Sequence, residues 1–404
     1  MIKKPELLCP AGDLTRLICA VDFGADAVYL AGQEFGMRTA ADNFSLEELE
    51  KGIDYAHKHS VKVYITCNVT PHNDEVDRLA DFAEQAYKLG ADAFIVGDIG
   101  SISAIKERVP DAVIHASVQS GVTNYRTANM LHELGASRVV LARELSIDEI
   151  AKIRAKASPE LEFESFVHGA MCVSYSGRCL LSSYMTGRDA NHGDCAQPCR
   201  WSYSLMEQTR PGKYYDITET DKGTYILNAN DLCMAEHLAK LANAGVHSFK
   251  IEGRAKSHYY VAVATNAYRG AVDALIANSD APVPEWVIDE LGKISHRTYS
   301  TGFYFGKPEN SQTYETAGYI RNYSVAAVVE GYEDGQIIAS LKNKFSAGTT
   351  LDCLEARKEP FFVDTTVLLD EKGEQIEVAN KPTMIIKIPY QTPVAAGSFL
   401  RMKS

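Results

Sequence analysis

The first 255 residues repeat one unit, in which a glycine is followed within three residues by a short apolar run. The clearest copies begin at Gly24, Gly90, Gly135 and Gly245. A glycine in this position typically ends a helix in the left-handed conformation, and the apolar run is long enough for one buried strand. Because an amphipathic segment lies between successive runs, the strands pair in parallel. The repeat therefore predicts an α/β architecture built from βα units.

Eight apolar runs are candidate strands of this sheet. They fall at residues 6–9, 27–31, 61–67, 93–97, 112–116, 138–142, 161–167 and 249–251. Eight parallel strands with helices between them predict a closed (β/α)8 barrel of the TIM type, in which functional groups follow the C-terminal ends of the strands. A ninth run at 224–228 is one more than the barrel needs, so an open doubly wound sheet stays an alternative.

The pattern changes after residue 300, where short runs with a period of two replace the earlier units. These runs fall at 323–329, 337–341, 349–354, 361–369, 376–378, 384–388 and 398–402. Short strands at this spacing predict a small antiparallel β-barrel. A chain of 404 residues is also longer than one core usually sustains. We therefore expect two domains, the (β/α) barrel at 1–300 and the β-barrel at 301–404.

Polar side chains follow most of the predicted strands and would meet at one end of the barrel. They are Asn68, Asp98, Gln119, Arg143, Glu144, His168, Glu252 and Arg254. Each alone would ordinarily be a helix cap or a surface pair, but their recurrence at the same phase of the repeat indicates a site. The predicted catalytic residues are His168, Arg143, Glu252 and Arg254. The predicted substrate-binding residues are Asn68, Gln119, Glu144 and, from the adjoining cysteine-rich stretch, Arg178.

Four of the nine cysteines lie in one loop at 172–200. They are Cys172, Cys179, Cys195 and Cys199. Thiolates hold zinc or a 4Fe-4S cluster, and structural zinc sites usually have two tight Cys-x2-Cys pairs, which this loop lacks. The unequal spacing therefore favours a cluster. We expect Cys199 to be the fourth ligand, and Cys233 is the alternative.

The net charge of −12 opposes binding to nucleic acid, since phosphates are bound by Lys and Arg. A local basic face is still available. Its candidates are Arg178, Arg188 and Arg200 in the cysteine-rich loop and Lys250, Arg254 and Lys256 near the last barrel strand. The chain start has no secretory pattern and no apolar run reaches eighteen residues, so we expect a cytoplasmic protein without membrane contact. In that compartment clustered cysteines bind metal more often than they form disulfides.

Several segments resemble peptidase family U32, the collagenase-like peptidases. Residues 164–172 read Glu-Ser-Phe-Val-His-Gly-Ala-Met-Cys, and further matching segments lie at 5–12, 24–29, 177–182, 188–191 and 250–254. Within that family, a chain with a C-terminal β domain is similar to the tRNA hydroxylation proteins, which make 5-hydroxyuridine at the anticodon wobble position. The resemblance covers about residues 5–305.

The resemblance implies a 4Fe-4S cluster on Cys172, Cys179, Cys195 and Cys199, prephenate as co-substrate and tRNA as substrate. We expect arginines to hold the two carboxylates of prephenate, since a guanidinium pairs bidentately with a carboxylate. The candidates are Arg143, Arg178 and Arg254. A flipped uridine would enter the same cavity. In some ubiquinone-hydroxylating relatives a cysteine near position 233 is a cluster ligand.

Two other functions stay open. A metalloprotease would have His-Glu-x-x-His, and the string that starts at His132 lacks the second histidine. No Gly-x-Ser-x-Gly occurs, and a nucleophilic Cys172 with His168 as base would leave three cysteines unexplained. The third reading is a scaffold, in which a structural cluster accompanies binding to a second copy of the chain or to a related U32 subunit.

Overall fold

The description of the fold covers most of the chain. The structure, a computed structural model, describes residues 3–37, 43–172, 174–176, 179–201, 229–306 and 319–404, with four two-residue strands at Leu205–Met206, Tyr214–Tyr215, Glu219–Thr220 and Gly223–Thr224. Within these ranges no helix is long and apolar enough to cross a membrane. Arg178 and residues 225–228 lie outside them.

Eight parallel strands close into a barrel. They are β1 (Glu6–Pro10), β2 (Ala27–Leu30), β3 (Lys62–Cys67), β4 (Ala93–Val96), β5 (Ile114–Ala116), β6 (Ala136–Val140), β7 (Glu162–Ala170) and β8 (Ser248–Ile251). Each strand pairs with the next in chain order, and β8 pairs with both β7 and β1, which closes the sheet. The predicted (β/α)8 barrel is confirmed, and the open-sheet alternative is wrong.

Ten α-helices are described. They are α1 (Leu14–Asp22), α2 (Leu46–Lys58), α3 (Asn73–Lys88), α4 (Ile99–Arg108), α5 (Tyr125–Glu133), α6 (Ile147–Arg154), α7 (Leu181–Thr186), α8 (Leu238–Asn243), α9 (His258–Ala277) and α10 (Glu285–Leu291). The repeat explains where four of them end. Gly24, Gly90, Gly135 and Gly245 follow α1, α3, α5 and α8 with φ angles of 109°, 101°, 101° and 92°. This left-handed conformation favours glycine and turns the chain into the next strand.

A long excursion separates β7 from β8. It carries the cysteine-rich loop, α7 and α8, and a short strand at Asp231–Cys233. That strand pairs antiparallel with the end of β7, where Asp231 lies opposite Ala170. Tyr299–Ser300 then pairs with it in parallel. The extra strand therefore extends one side of the barrel sheet and is not one of the eight closing strands. The ninth run predicted at 224–228 lies outside the described residues except for Thr224.

The C-terminal part is an antiparallel sheet that curves into a half-barrel. Its seven strands are β9 (Tyr323–Glu333), β10 (Gln336–Leu341), β11 (Leu351–Leu354), β12 (Phe361–Val363), β13 (Leu369–Asp370), β14 (Ile385–Pro389) and β15 (Phe399–Lys403), in the spatial order β12-β11-β15-β9-β10-β14-β13. The predicted antiparallel β domain is confirmed. The domain boundary at residue 300 stays a prediction.

A buried ion cluster joins the two parts. Arg401 of β15 is fully buried and donates two hydrogen bonds to Glu290 of α10, at 2.7 and 3.0 Å, and one to Asp352 at 2.5 Å. Lys293 contacts both carboxylates. Beside it the Phe399 ring packs on that of Phe23, with 6.1 Å between centroids. The half-barrel is therefore attached by charge pairing as well as by apolar contact.

We predict that Arg401→Met lowers the free energy of unfolding by about 3–5 kcal/mol, because Glu290 and Asp352 stay buried with one cation instead of two. Urea denaturation measures the loss. The double variant Arg401→Met/Glu290→Gln should recover part of it, since one uncompensated charge is gone. Lys51→Ala, which removes an exposed ion pair on α2, is the control and should leave the midpoint unchanged. A loss no larger in Arg401→Met than in this control would contradict the prediction.

Candidate functional site

A cavity of about 420 Å³ opens at the C-terminal end of the barrel strands. Most of the predicted site residues line it. They are Asn68, Gln119, Arg143, Glu144, Glu252 and Arg254, together with Cys172, Cys179, Cys195 and Cys199. The structure thus brings together residues that are far apart in the chain, as the closed barrel predicts. Their individual roles stay predictions.

Arg254 is held rigidly at this cavity. The residue is buried, and its Nη1 donates a 2.8 Å hydrogen bond to Oγ1 of Thr66, at the end of β3. Its backbone packs closely on Gly12, where an added Cβ would lie 2.1 Å from the Arg254 carbonyl oxygen. Any larger residue at position 12 would therefore displace the segment that carries Arg254. The guanidinium is therefore a cation with a fixed position, which is the kind of group that suits an anionic ligand.

Arg143 and Glu144 connect the end of β6 with the cysteine-rich loop. The Arg143 guanidinium lies 3.7 Å from the centroid of the Phe166 ring, and its Nη1 donates to the Ala170 carbonyl at 2.9 Å. Glu144 accepts hydrogen bonds from the backbone N–H and the hydroxyl of Ser176, at 2.8 and 3.0 Å. These contacts hold the start of the loop against the barrel and keep the Arg143 guanidinium over the Phe166 ring.

The four loop cysteines all line the cavity, and none forms a disulfide. Hydrogen bonds hold the loop: Asn191 donates to the Cys179 carbonyl at 3.2 Å, and the Ser182 hydroxyl accepts from the N–H of Ala196 at 3.0 Å. In the described residues no three His, Cys, Asp or Glu side chains lie close enough to hold one metal ion. The thiols are therefore gathered without a preformed coordination sphere.

Cys233 lies apart from these four. It is not among the described lining residues, and its thiol accepts a 3.9 Å contact from the Tyr268 hydroxyl. Burial raises the pKa of this thiol. Cys233 lies on the extra strand, where its backbone pairs with that of His168 on β7. The placement favours Cys199 over Cys233 as the fourth thiol of the cavity wall.

His168 does not reach the cavity, in contrast to the prediction. Lys250 pairs with Phe166 and Ile251 pairs with His168, so β7 has one extra residue, Val167, at this point. This β-bulge turns the His168 side chain out of the barrel. The ring is 1% exposed and lies between the rings of Tyr260, Tyr268 and Tyr299, with centroids 5.3–6.0 Å away. If the side chains had alternated strictly along β7, His168 would share the inner face of the barrel with Phe166.

Two further predicted residues, Asp98 and Arg178, do not contribute to the described lining of the cavity. Asp98 is the N-cap of α4, where its carboxylate accepts the Ser101 N–H at 2.8 Å, and it is not among the described lining residues. This is the ordinary helix-cap role. Arg178 lies outside the described residues, so its predicted part in binding substrate stays a prediction.

Lys250 also lines the cavity, although it is not among the predicted catalytic or substrate-binding residues. It lies on β8, and its Nζ donates to the fully buried Glu164 at 2.8 Å. A signal was present in the sequence, because Lys250 is in phase with Glu252 and is charged within a buried strand. Alternation places both side chains on the inner face of a barrel strand. Only closure of the barrel shows which partner compensates the charge.

Comparisons with known proteins cover both parts of the chain. The profile of peptidase family U32 matches residues 12–314, and that of the peptidase family U32 C-terminal domain matches residues 321–401. The chain is 36% identical to tRNA hydroxylation protein P1 of Bacillus subtilis over 412 residues, which cover 99% of this chain and 95% of the relative. It is 33% identical to tRNA hydroxylation protein P of Escherichia coli, covering 99% and 97%. An uncharacterized protease of Methanocaldococcus jannaschii is 41% identical, with 82% of each chain covered.

The enclosure of His168 predicts a loss of stability in acid. Burial, with smaller effects of His296 and Lys256, lowers the pKa of this ring to about 3. The unfolded ring takes up a proton near its ordinary pKa of 6.5, whereas the folded ring does not, so stability is lost as the pH falls from 6.5 towards 3. At pH 4.5, about two units below 6.5, the loss is about 3 kcal/mol.

Urea denaturation of wild type and His168→Phe at pH 7.5 and 4.5 measures this loss. The decrease between the two pH values should be smaller in His168→Phe, which carries no titratable ring there. His59→Gln, which replaces an exposed histidine, is the matched control and should keep the wild-type decrease. An equal decrease in wild type and His168→Phe would show that the His168 ring becomes protonated in the folded protein.

Proposed function

The chain belongs to peptidase family U32, and from this premise we propose that it is an RNA-modifying enzyme that hydroxylates tRNA. Two relatives named as tRNA hydroxylation proteins support the proposal, because they match this chain along 99% of its length. We further propose the finer activity, formation of 5-hydroxyuridine at the anticodon wobble position with prephenate as co-substrate.

One observation carries this proposal: four thiols and two arginines line the same cavity at the functional end of the barrel. Arg143 and Arg254 are cations fixed by packing and hydrogen bonds, and they suit the carboxylates of prephenate. Asn68 and Gln119 offer amide donors and acceptors, which suit the polar edge of a uracil ring. Enzymes that react with a base generally take it out of the stack, so the target uridine would be extruded into the cavity.

Cys172, Cys179, Cys195 and Cys199 would hold the 4Fe-4S cluster. Their number and type fit, since four thiolates are the usual ligands of such a cluster and all four line the same cavity. When bound, the cluster would supply electron-transfer chemistry next to the substrate. Arg143 and Arg254 would orient the anionic co-substrate, and Glu144 would keep the loop in place through Ser176.

Peptide hydrolysis is the second candidate, favoured by the family name and by the protease name of the Methanocaldococcus relative. A cysteine nucleophile needs a nearby base. The described lining of the cavity includes no histidine, and His168 points to the opposite side of the sheet. The geometry therefore argues against Cys172 as a nucleophile with His168 as its base.

Nucleoside analysis of tRNA tests the activity. In a deletion strain without a redundant route, we predict that 5-hydroxyuridine disappears from the wobble position and returns with the wild-type gene. Arg254→Ala should fail to restore it because the cavity loses a buried cation, whereas Lys51→Ala, on the exposed face of α2, should restore it fully. Intact 5-hydroxyuridine in the deletion strain would contradict the hydroxylase. Cleavage of denatured collagen by cluster-free protein would support the peptidase instead.

The cluster and its fourth ligand are tested by iron content. Anaerobically purified wild-type protein should be coloured and carry about four irons per chain. Separate Cys→Ser changes at positions 172, 179, 195 and 199 should lower the iron content and the visible absorbance, whereas Cys233→Ser should keep both, because that thiol lies off the cavity. Loss of iron in Cys233→Ser but not in Cys199→Ser would reverse the assignment. Colourless, iron-free wild-type protein would exclude the cluster.

A further inference from the structure

Lys250 is a buried cation at the cavity with no role in the proposed function above. It is 4% exposed, yet it contributes to the cavity lining. In the described part of the chain its Nζ donates one hydrogen bond, to Oε1 of Glu164 at 2.8 Å. An ammonium group has three N–H donors, and leaving such donors unpaired in a buried place is costly. Lys250 can therefore bind a further acceptor from the cavity.

The surroundings keep this ammonium in place. The Nζ atom lies 4.4 Å from the Tyr29 ring centroid and 5.4 Å from that of Phe166. Glu164, on the inner side, is shared with Arg138 at 3.4 Å. Since one side is apolar and another is taken by Glu164, a ligand would approach from the cavity. This is a preorganised donor, whose position costs little to maintain when the ligand binds.

The charges around the cavity indicate the class of ligand. The described lining carries three cations, Arg143, Lys250 and Arg254, and two carboxylates, Glu144 and Glu252. Glu144 is already engaged by Ser176. Arg143 and Lys250 contact the same Phe166 ring, at 3.7 and 5.4 Å. Two cations beside one aromatic ring suit a small molecule with two acidic groups, whose apolar part can pack on that ring.

We propose that Lys250 forms a carboxylate subsite at the floor of the cavity and binds one carboxylate of a small dicarboxylate, while the arginines bind the other. Glu164 is a positioning residue, since it holds the ammonium group and does not touch the ligand. The inference rests on the proposed function for the identity of the cavity as the substrate site. It adds a residue that distinguishes a dicarboxylate from a monocarboxylate.

Direct binding tests the subsite without measuring RNA modification. Calorimetric titration of the full chain would use prephenate, with two carboxylates, and phenylpyruvate, with one. Wild type should prefer prephenate. In Lys250→Met the affinity for prephenate should fall about tenfold or more, the usual effect of losing a charged hydrogen bond, while that for phenylpyruvate should change little. Lys250→Arg should keep part of the preference.

A second variant separates binding from folding. Lys250→Met alone leaves Glu164 buried beside Arg138 only, which lowers stability. In Lys250→Met/Glu164→Gln the loss of stability should be reduced, but the preference for prephenate should stay lost. The subsite is overturned if Lys250→Met binds both acids as wild type does, if both affinities fall equally, or if wild type shows no preference. Absence of tRNA hydroxylation would refute the proposed function while leaving these affinities as they are.

Discussion

The structure depends on a line of buried charges inside the barrel, centred on Glu164. Arg138 contacts Glu164 at 3.4 Å and Glu6 at 2.6 Å towards the N-terminal end of the strands, and Lys250 contacts Glu164 at 2.8 Å towards the cavity. Ion pairs in such a place gain little stability over apolar packing, because desolvation offsets the attraction. Their effect here is positional: they hold an ammonium group at the cavity floor in a barrel core that is otherwise largely apolar.

Strand β7 links this interior to the functional loop. Glu164 and Phe166 face the inside, the bulge at Val167 reverses the alternation, and the strand then continues to Ala170 beside the extra strand. The polypeptide leaves that pairing directly into the cysteine-rich loop at Cys172. Strand β7 carries both Glu164 and the residues that lead into the cysteine-rich loop. The strand therefore fixes the position of this loop relative to the buried charges below the cavity.

The distribution of charge reconciles the acidic chain with the anionic substrates that we propose. The net charge is −12, but the cavity lining holds three cations against two carboxylates. The overall field would oppose the approach of RNA, so affinity would depend on local contacts near the cavity and decrease with salt. The same local excess of positive charge suits a small dicarboxylate, which carries its charge in less volume than a nucleic acid.

Local sequence determined the βα repeat, because a left-handed glycine and the apolar run after it are properties of a few adjacent residues. Eight apolar runs, four of which follow such a glycine, favour a closed barrel. Local sequence also determined that Asn68, Gln119, Arg143, Glu144, Glu252 and Arg254 meet, since residues after parallel strands share one end. Only the tertiary structure decided that His168 turns away, that Glu164 compensates the charge of Lys250, and that Cys233 lies away from the cavity that Cys199 lines. Those outcomes follow from a bulge and from strand pairing between distant segments, which depend on partners that no local pattern specifies.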